Sequence, residues 1–131
     1  MRDRGSVVLI DNNKVGLIKR IRDGSVYYVF PSGGVEDGET PGEATKREAL
    51  EELGVEVKIN ECIAKLEFNG TQYFFLSEII KGIYGTGEGE EFTNKNRNRG
   101  TYFPIWVEIE KLSTIDVKPK EVALKVQSLF K

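Results

Sequence analysis

Residues 33–55 read GGVEDGETPGEATKREALEELGV, and the punctuation of this stretch sets the reading of the rest. Thr40 suits an N-cap. Pro41 falls at the first helical position, where its missing N–H costs nothing. Glu43 stands three residues after Thr40 and completes a capping box, and Gly54 fits the C-terminal stop. The pattern predicts a helix over 41–53 with Ala49, Leu50 and Leu53 facing a core. On that helix Glu48, Glu51 and Glu52 stand at i, i+3 and i+4, so their carboxylates share one face. Three adjacent carboxylates repel one another, and a bound divalent cation is the natural offset. Arg47 and Glu43, four apart, are placed to pair and steady the flank. Before the helix, the Gly33-Gly34 turn lets backbone atoms come close to a metal or a phosphate.

Outward from the helix, the chain reads as strands. Residues 6–10 (SVVLI) and 14–21 (KVGLIKRI) flank the turn signal Asp11-Asn12-Asn13 and predict a hairpin. Residues 26–30 (VYYVF) form a strand ended by Pro31, with a Gly-rich acidic loop over 32–39. After the helix, 55–68 and 72–80 are strands joined at Asn69-Gly70, a strong hairpin turn. Residues 81–100 read as a long, Gly-rich charged loop, of the kind that is usually functional or disordered. Residues 101–109 (TYFPIWVEI) are a strand that Pro104 marks as an edge or bulge. Residues 119–130 form a closing amphipathic helix through Val122, Ala123, Val126 and Phe130. The sum is one α/β domain over 1–131, a mixed sheet with helices packed on it.

Composition narrows the chemistry. The chain has 131 residues, a formal net charge of −2 and no histidine. Histidine triads, histidine bases and histidine-ligated zinc are therefore excluded. Carboxylate and carbonyl oxygens suit hard ions such as Mg²⁺, Mn²⁺ or Ca²⁺. The near-neutral charge gives no reason to expect duplex nucleic acid as a partner. No apolar run approaches membrane-spanning length. The first residues have no signal-peptide layout, and Cys62 is the single cysteine, so a cytoplasmic location is expected. Cys62 itself reads as a small buried apolar residue.

The spacing of Gly33, Glu39, Arg47, Glu48, Ala49, Glu51, Glu52, Gly54 and Val55 resembles the Nudix box. The box runs Gly, five residues, Glu, seven residues, Arg-Glu, an apolar residue, any residue, Glu-Glu, any residue, Gly and an apolar residue. Ala49 stands where a bulkier aliphatic is commoner, and Ser32 stands where many members have glycine. The resemblance is to Nudix hydrolases, small MutT-like single-domain members in particular. It implies an α/β/α sandwich with a mixed sheet, a central catalytic helix and a C-terminal helix. It also implies a metal-dependent pyrophosphohydrolase using Mg²⁺ or Mn²⁺ on a small nucleotide substrate, as a monomer or homodimer. By position, Glu48, Glu51 and Glu52 would hold metal together with a backbone carbonyl near Ser32 or Gly33. Arg47 would orient a glutamate, and Glu39 would be structural. Family members often recruit a further carboxylate as base from a distant loop. The candidates here are Glu91, then Glu90, then Glu88.

Other residues are weighed beside these. Tyr27, Tyr28 and Phe30 split between core and cleft, and Tyr28 is a candidate to stack on a base. Gly34 and Glu39 are further candidates for substrate contact. Lys19, Arg20 and Arg22 read as a solvated hairpin. Lys95, Arg97 and Arg99 have the better claim on phosphates, because loops often close over anions; Arg97 is the one singled out. Nucleoside triphosphates, including oxidised ones, lead as substrates, with dinucleoside polyphosphates next. The rival of another class is a Nudix-like module that binds nucleotide without turnover. An EF-hand fails, because residues 36–39 lack the alternating Asp/Asn ligands.

Overall fold

A computed structural model describes residues 2–67, 69–85 and 101–130, with the side chain of residue 101 left aside. In chain order the elements are β1 (Arg4–Asp11), β2 (Lys14–Arg22), β3 (Ser25–Val29) and β4 (Ser32–Gly34), then α1 (Pro41–Glu48) and a π-type turn (Ala49–Leu53). There follow β5 (Val55–Glu67), β6 (Thr71–Gly82), β7 (Thr101–Glu108), a 3₁₀ turn (Ile109–Thr114), β8 (Val117–Lys118) and α2 (Lys120–Leu129).

The described strands join in the order β5-β6-β1-β2-β3-β8, with β4 added on β1 and β7 on β2. The sheet is mixed. β1 runs parallel to β6, and β3 parallel to β8, while the other pairings are antiparallel. β1 is the branch point: one edge follows β6, and the other meets β4 through Arg4–Ser6 and β2 through Ile10 and Asp11. Alternation along β1 then divides the interior in two. Val8 points with Leu17, Phe74 and the α2 residues Val122, Ala123 and Val126 into one core. Val7 and Leu9 point with Ile18, Ala49, Leu53 and Val55 into the other. This is the expected α/β/α sandwich, one helix on each face.

Several expectations change. The helix predicted over 41–53 is α-helical to Glu48 and then widens into the π-type turn, so its last turn is rotated. Ala49 and Leu53 reach the core as expected, but Leu50 is 58% exposed. Gly54 ends the turn at φ 77°, where a side chain would be strained, and its N–H closes onto the Ala49 and Leu50 carbonyls. The loop read over 32–39 begins with a strand, because Ser32–Gly34 find partners in β1. β6 runs on to Gly82, past the expected loop start. Phe130 lies at the surface beyond the end of α2. Cys62 is exposed, displaced by the bulge that shifts the β5–β6 register between Cys62 and Ala64. Tyr73, Phe74 and Phe75 on a strand read as core residues, but in β6 only Phe74 is buried, while Tyr73 and Phe75 lie half-buried on the opposite face. Pro104 sits in β7, which among described strands pairs with β2 alone, so the edge position holds. No helix among the described residues is long and apolar enough to cross a membrane.

Candidate active site

The site is assembled where β4 passes beneath the end of α1. Gly33 pairs with Gly5 of β1, and this brings its backbone so close to the helix that a Cβ at residue 33 would overlap the Glu48 carboxyl group. Glycine there is a spatial requirement, since a larger residue would push Glu48 aside. The helix begins as its sequence dictates. The Thr40 hydroxyl accepts from the Glu43 N–H at 3.1 Å, and the Glu43 carboxylate accepts from the Thr40 N–H at 2.8 Å. That commitment changes the expected pairing of Glu43 with Arg47: capping occupies Glu43, and Arg47 turns instead toward the loop before the helix.

Arg47 is the hub of the cluster. Its Nε donates to Glu39 Oε2 at 2.7 Å and its Nη2 to Glu39 Oε1 at 3.1 Å, a two-pronged pair. Nη2 also donates to the Gly34 carbonyl at 3.0 Å, and Nη1 to Glu48 Oε1 at 2.9 Å. Glu51 and Glu36 add ion pairs, Glu51 to Nη1 and Glu36 to Nε, each at 3.6 Å. The hydrogen bonds from Arg47, then that from the Glu36 N–H, hold the Glu39 carboxyl down at a pKa of about 2. Bonding to Glu39, and then to Glu48, in turn pushes the Arg47 guanidinium above its ordinary value.

The three helix glutamates therefore do different things. Glu48 lies against Gly33 and is held by Arg47, while Glu51 is half-exposed above the same guanidinium. Glu52 faces a cleft of about 170 Å³ whose walls include Arg4, Arg20, Ser32 and Tyr102. Among the described residues no three acidic or cysteine side chains are gathered closely enough to enclose an ion. The expected convergence on one point is thus replaced by an arrangement in which Arg47 offsets the crowded charge. The donor chemistry nonetheless fits a hard divalent cation. Three carboxylates lie within five residues, beside a strand whose glycine leaves room for oxygen atoms to approach.

Other expected residues fall elsewhere. Tyr28 packs against the α2-side core, on the face of β3 away from Glu52, so its placement does not carry a substrate contact. Gly34 has its carbonyl engaged by Arg47 and Glu39 is locked in the same pair, so both support the cluster from behind. Glu88, Glu90, Glu91 and Arg97 lie outside the described residues, as do Lys95 and Arg99. Two residues belong to the cleft that the sequence reading missed: Arg20 reads there as part of a solvated hairpin, and Arg4 is not weighed. Arg20 stands on the face of β2 that Ile18 shares, with its guanidinium 3.9 Å from the centre of the Tyr102 ring. Arg4 reaches across to Ser32, donating to its carbonyl at 3.3 Å and its hydroxyl at 3.1 Å. The two-residue period of β2 held the signal, because it puts Arg20 on the same face as a core isoleucine.

Comparison with known proteins agrees with this geometry. The profile of the NUDIX domain matches residues 1–126. The chain belongs to the Nudix family. A Nudix hydrolase from Nitrosomonas europaea is similar in structure at a TM-score of 0.72 and 18% identity, over 99% of this chain and 90% of that one. A MutT structure from work on Aliivibrio salmonicida and Vibrio cholerae aligns at 0.73 and 21% identity, over 97% and 96%. An ADP-ribose pyrophosphatase from Streptococcus suis aligns at 0.70 and 12% identity, over 99% and 92%. At these identities the likeness is one of fold. No curated protein matches the sequence. Nudix membership makes the chain a hydrolase of the pyrophosphatase type, with helix α1 and the turn after it as its box helix.

Proposed function

We propose that the protein hydrolyses a pyrophosphate bond in a nucleoside diphosphate linked to another group, nucleoside triphosphates first among them. The observation that carries this reading is the joint placement of Glu52, Arg4 and Arg20 on one cleft, beside the Glu48–Gly33 contact. Carboxylates alone would repel a polyphosphate. Two guanidiniums across the cleft supply the opposite sign and the planar donor geometry that phosphate oxygens need. Tyr102 holds the Arg20 plane, and Ser32 anchors Arg4, so both guanidiniums are set before an anion arrives.

Glu48, Glu51 and Glu52 would hold Mg²⁺ or Mn²⁺, with a backbone oxygen near Ser32 or Gly33. Such a metal supplies charge screening and a water of lowered pKa for attack at phosphorus. The protein's own part is placement. Arg47 holds Glu48 against Gly33, Glu39 fixes Arg47, and Arg4 and Arg20 orient the phosphates. Glu91 remains the first candidate for the base, ahead of Glu90 and Glu88. A name such as UDP-X diphosphatase among the structurally similar proteins fits the proposed bond type.

The test is phosphate release from a nucleotide panel with Mg²⁺ or Mn²⁺, comparing wild type with Glu52→Gln. The variant is expected to lose at least about a hundredfold in turnover with its circular dichroism unchanged. Unchanged turnover in a folded variant removes the site assignment. No turnover of any nucleotide by wild type favours the binding module.

A further inference from the structure

Past the body of β6, residues 82–85 touch two elements in quick succession. Gly82 takes φ 98°, and a Cβ there would overlap the Gly54 carbonyl oxygen, so the chain closes tightly onto the residue that stops the box helix. Further on, the Gly85 N–H donates to the Leu53 carbonyl at 2.9 Å. The residue before it, Tyr84, reaches β2. Its hydroxyl donates to the Leu17 carbonyl at 2.8 Å, and its ring centre lies 4.9 Å from that of Trp106. Gly16 makes room for this ring, since a Cβ at residue 16 would stand 3.1 Å from it. A glycine inside a strand often marks such a close approach. Burial pushes the phenol above its ordinary pKa, so the hydroxyl stays protonated and donates.

The two elements so joined carry the two charged walls of the cleft. Leu53 follows Glu52 directly, and both line the cleft. On β2 the two-residue period puts Gly16 on the face of Ile18 and Arg20, which line it as well. Ile18, Ala49 and Leu53 share one core, which draws β2 and the turn together. Apolar contact of that kind is non-directional and tolerates a slide. Hydrogen bonds are directional. Those of Tyr84 and Gly85 stand on adjacent residues, so a single peptide unit ties β2 to the last residue of the turn.

We infer that Tyr84 is a positioning residue, which sets the spacing between the Glu52 wall of the cleft and the Arg20 wall. The inference rests on the pyrophosphohydrolase reading and adds to it a residue placed outside the cleft. Phosphates that meet Arg20 on one wall and a cation held by Glu52 on the other fit at one separation only. At that separation each ligand strengthens the other, and the strengthening is reciprocal. Misplacement by about 1 Å is enough to cost about a hundredfold in rate. Loss of the tie relaxes the separation and leaves each wall intact.

The test reads this mutual strengthening and not stability. The probe is α,β-methylene-ADP, whose P–C–P bridge resists hydrolysis, titrated calorimetrically with EDTA and again with Mn²⁺. Wild type is expected to bind it at least about tenfold more tightly with Mn²⁺. Tyr84→Phe keeps the ring and removes the hydroxyl. It is expected to cut that factor at least about threefold. Its affinities for the probe with EDTA and for Mn²⁺ alone are expected to stay within about twofold of wild type. The probe chelates Mn²⁺ equally in every titration, so the comparison between proteins stands. Gly16→Ala presses on the same ring from the β2 side and is expected to cut the factor too; should Tyr84→Phe fail to fold, it decides by the same readout. A full factor in the folded variant, with only its urea midpoint lowered, gives Tyr84 a structural role and overturns the inference. Loss of either separate affinity overturns it as well, because the hydroxyl then supports one wall. So does a wild type without strengthening. In each of these cases nucleotide hydrolysis by wild type leaves the catalytic reading standing. If wild type hydrolyses no nucleotide, the hydrolytic reading fails instead, and the factor alone decides on Tyr84.

Discussion

Arg47 joins the parts of the site that lie far apart in sequence. One guanidinium binds the loop through Glu39 and Gly34 and the helix through Glu48 and Glu51. The Glu39 pair has a pH signature whose sign follows from linkage. Its carboxyl titrates at about 2 in the folded protein against an ordinary value of 4.5. A depressed folded pKa contributes stability that is present in full above the unfolded value and is lost as pH falls through the folded one. Glu39→Gln removes this contribution. Urea midpoints of wild type and Glu39→Gln are therefore expected to differ by a constant gap above about pH 5, wild type being the more stable. The gap narrows between about pH 4.5 and pH 2. A gap that does not respond to pH in that window would show that the pair does not hold the loop. The Glu39 and Arg47 positions were legible in the sequence, but the pairing was misassigned to Glu43. The capping box accounts for the difference, because it turns the Glu43 side chain back onto the Thr40 N–H, while Arg47 points toward Glu39.

At the scale of the element, the box helix is two structures in series. Its start follows local rules, and the Thr40–Glu43 box, Pro41 and the Gly54 stop all appear where the sequence puts them. The widened turn over Ala49–Leu53 was not legible. It depends on how the chain closes onto Gly54 and on the fit of Ala49 and Leu53 into the core, and π-type turns are rare enough to defeat a periodicity of 3.6. They also recur at functional sites, and this one carries Glu51 and Glu52. Its rotation makes a measurable distinction between the two leucines of the turn, Leu50 and Leu53. Leu53→Ala is expected to cost about 2–5 kcal/mol, whereas Leu50→Ala should stay within about 0.5 kcal/mol. Chemical denaturation of the two variants checks this. Comparable losses would restore the unbroken helix, with both leucines inside. The strand β4 was hidden for a related reason. Ser32–Gly34 have no strand pattern of their own and are extended because β1 lies beside them.

Across the whole molecule, the sheet brings together what the sequence keeps apart. The sandwich itself was legible, since hairpin turns and alternating strands declare themselves over short windows, and the order of elements follows. The cleft was legible only in part. Its acidic side lies in one contiguous stretch, whereas Arg4 and Arg20 come from β1 and β2 and look like surface charges until the strands are paired. A cavity of about 630 Å³ beside it draws on β1, β3, β4, β5, β6, β8 and the start of α2, so no window of sequence contains it. The proposed function requires one property, that Glu48, Glu51 and Glu52 bind divalent cations. Manganese binding followed by electron paramagnetic resonance, with a nucleotide present, measures that property directly. Wild type is expected to take up Mn²⁺, and the Glu48→Gln, Glu51→Gln, Glu52→Gln triple variant to lose that uptake while its fold is kept. Undiminished uptake by the triple variant would contradict the account.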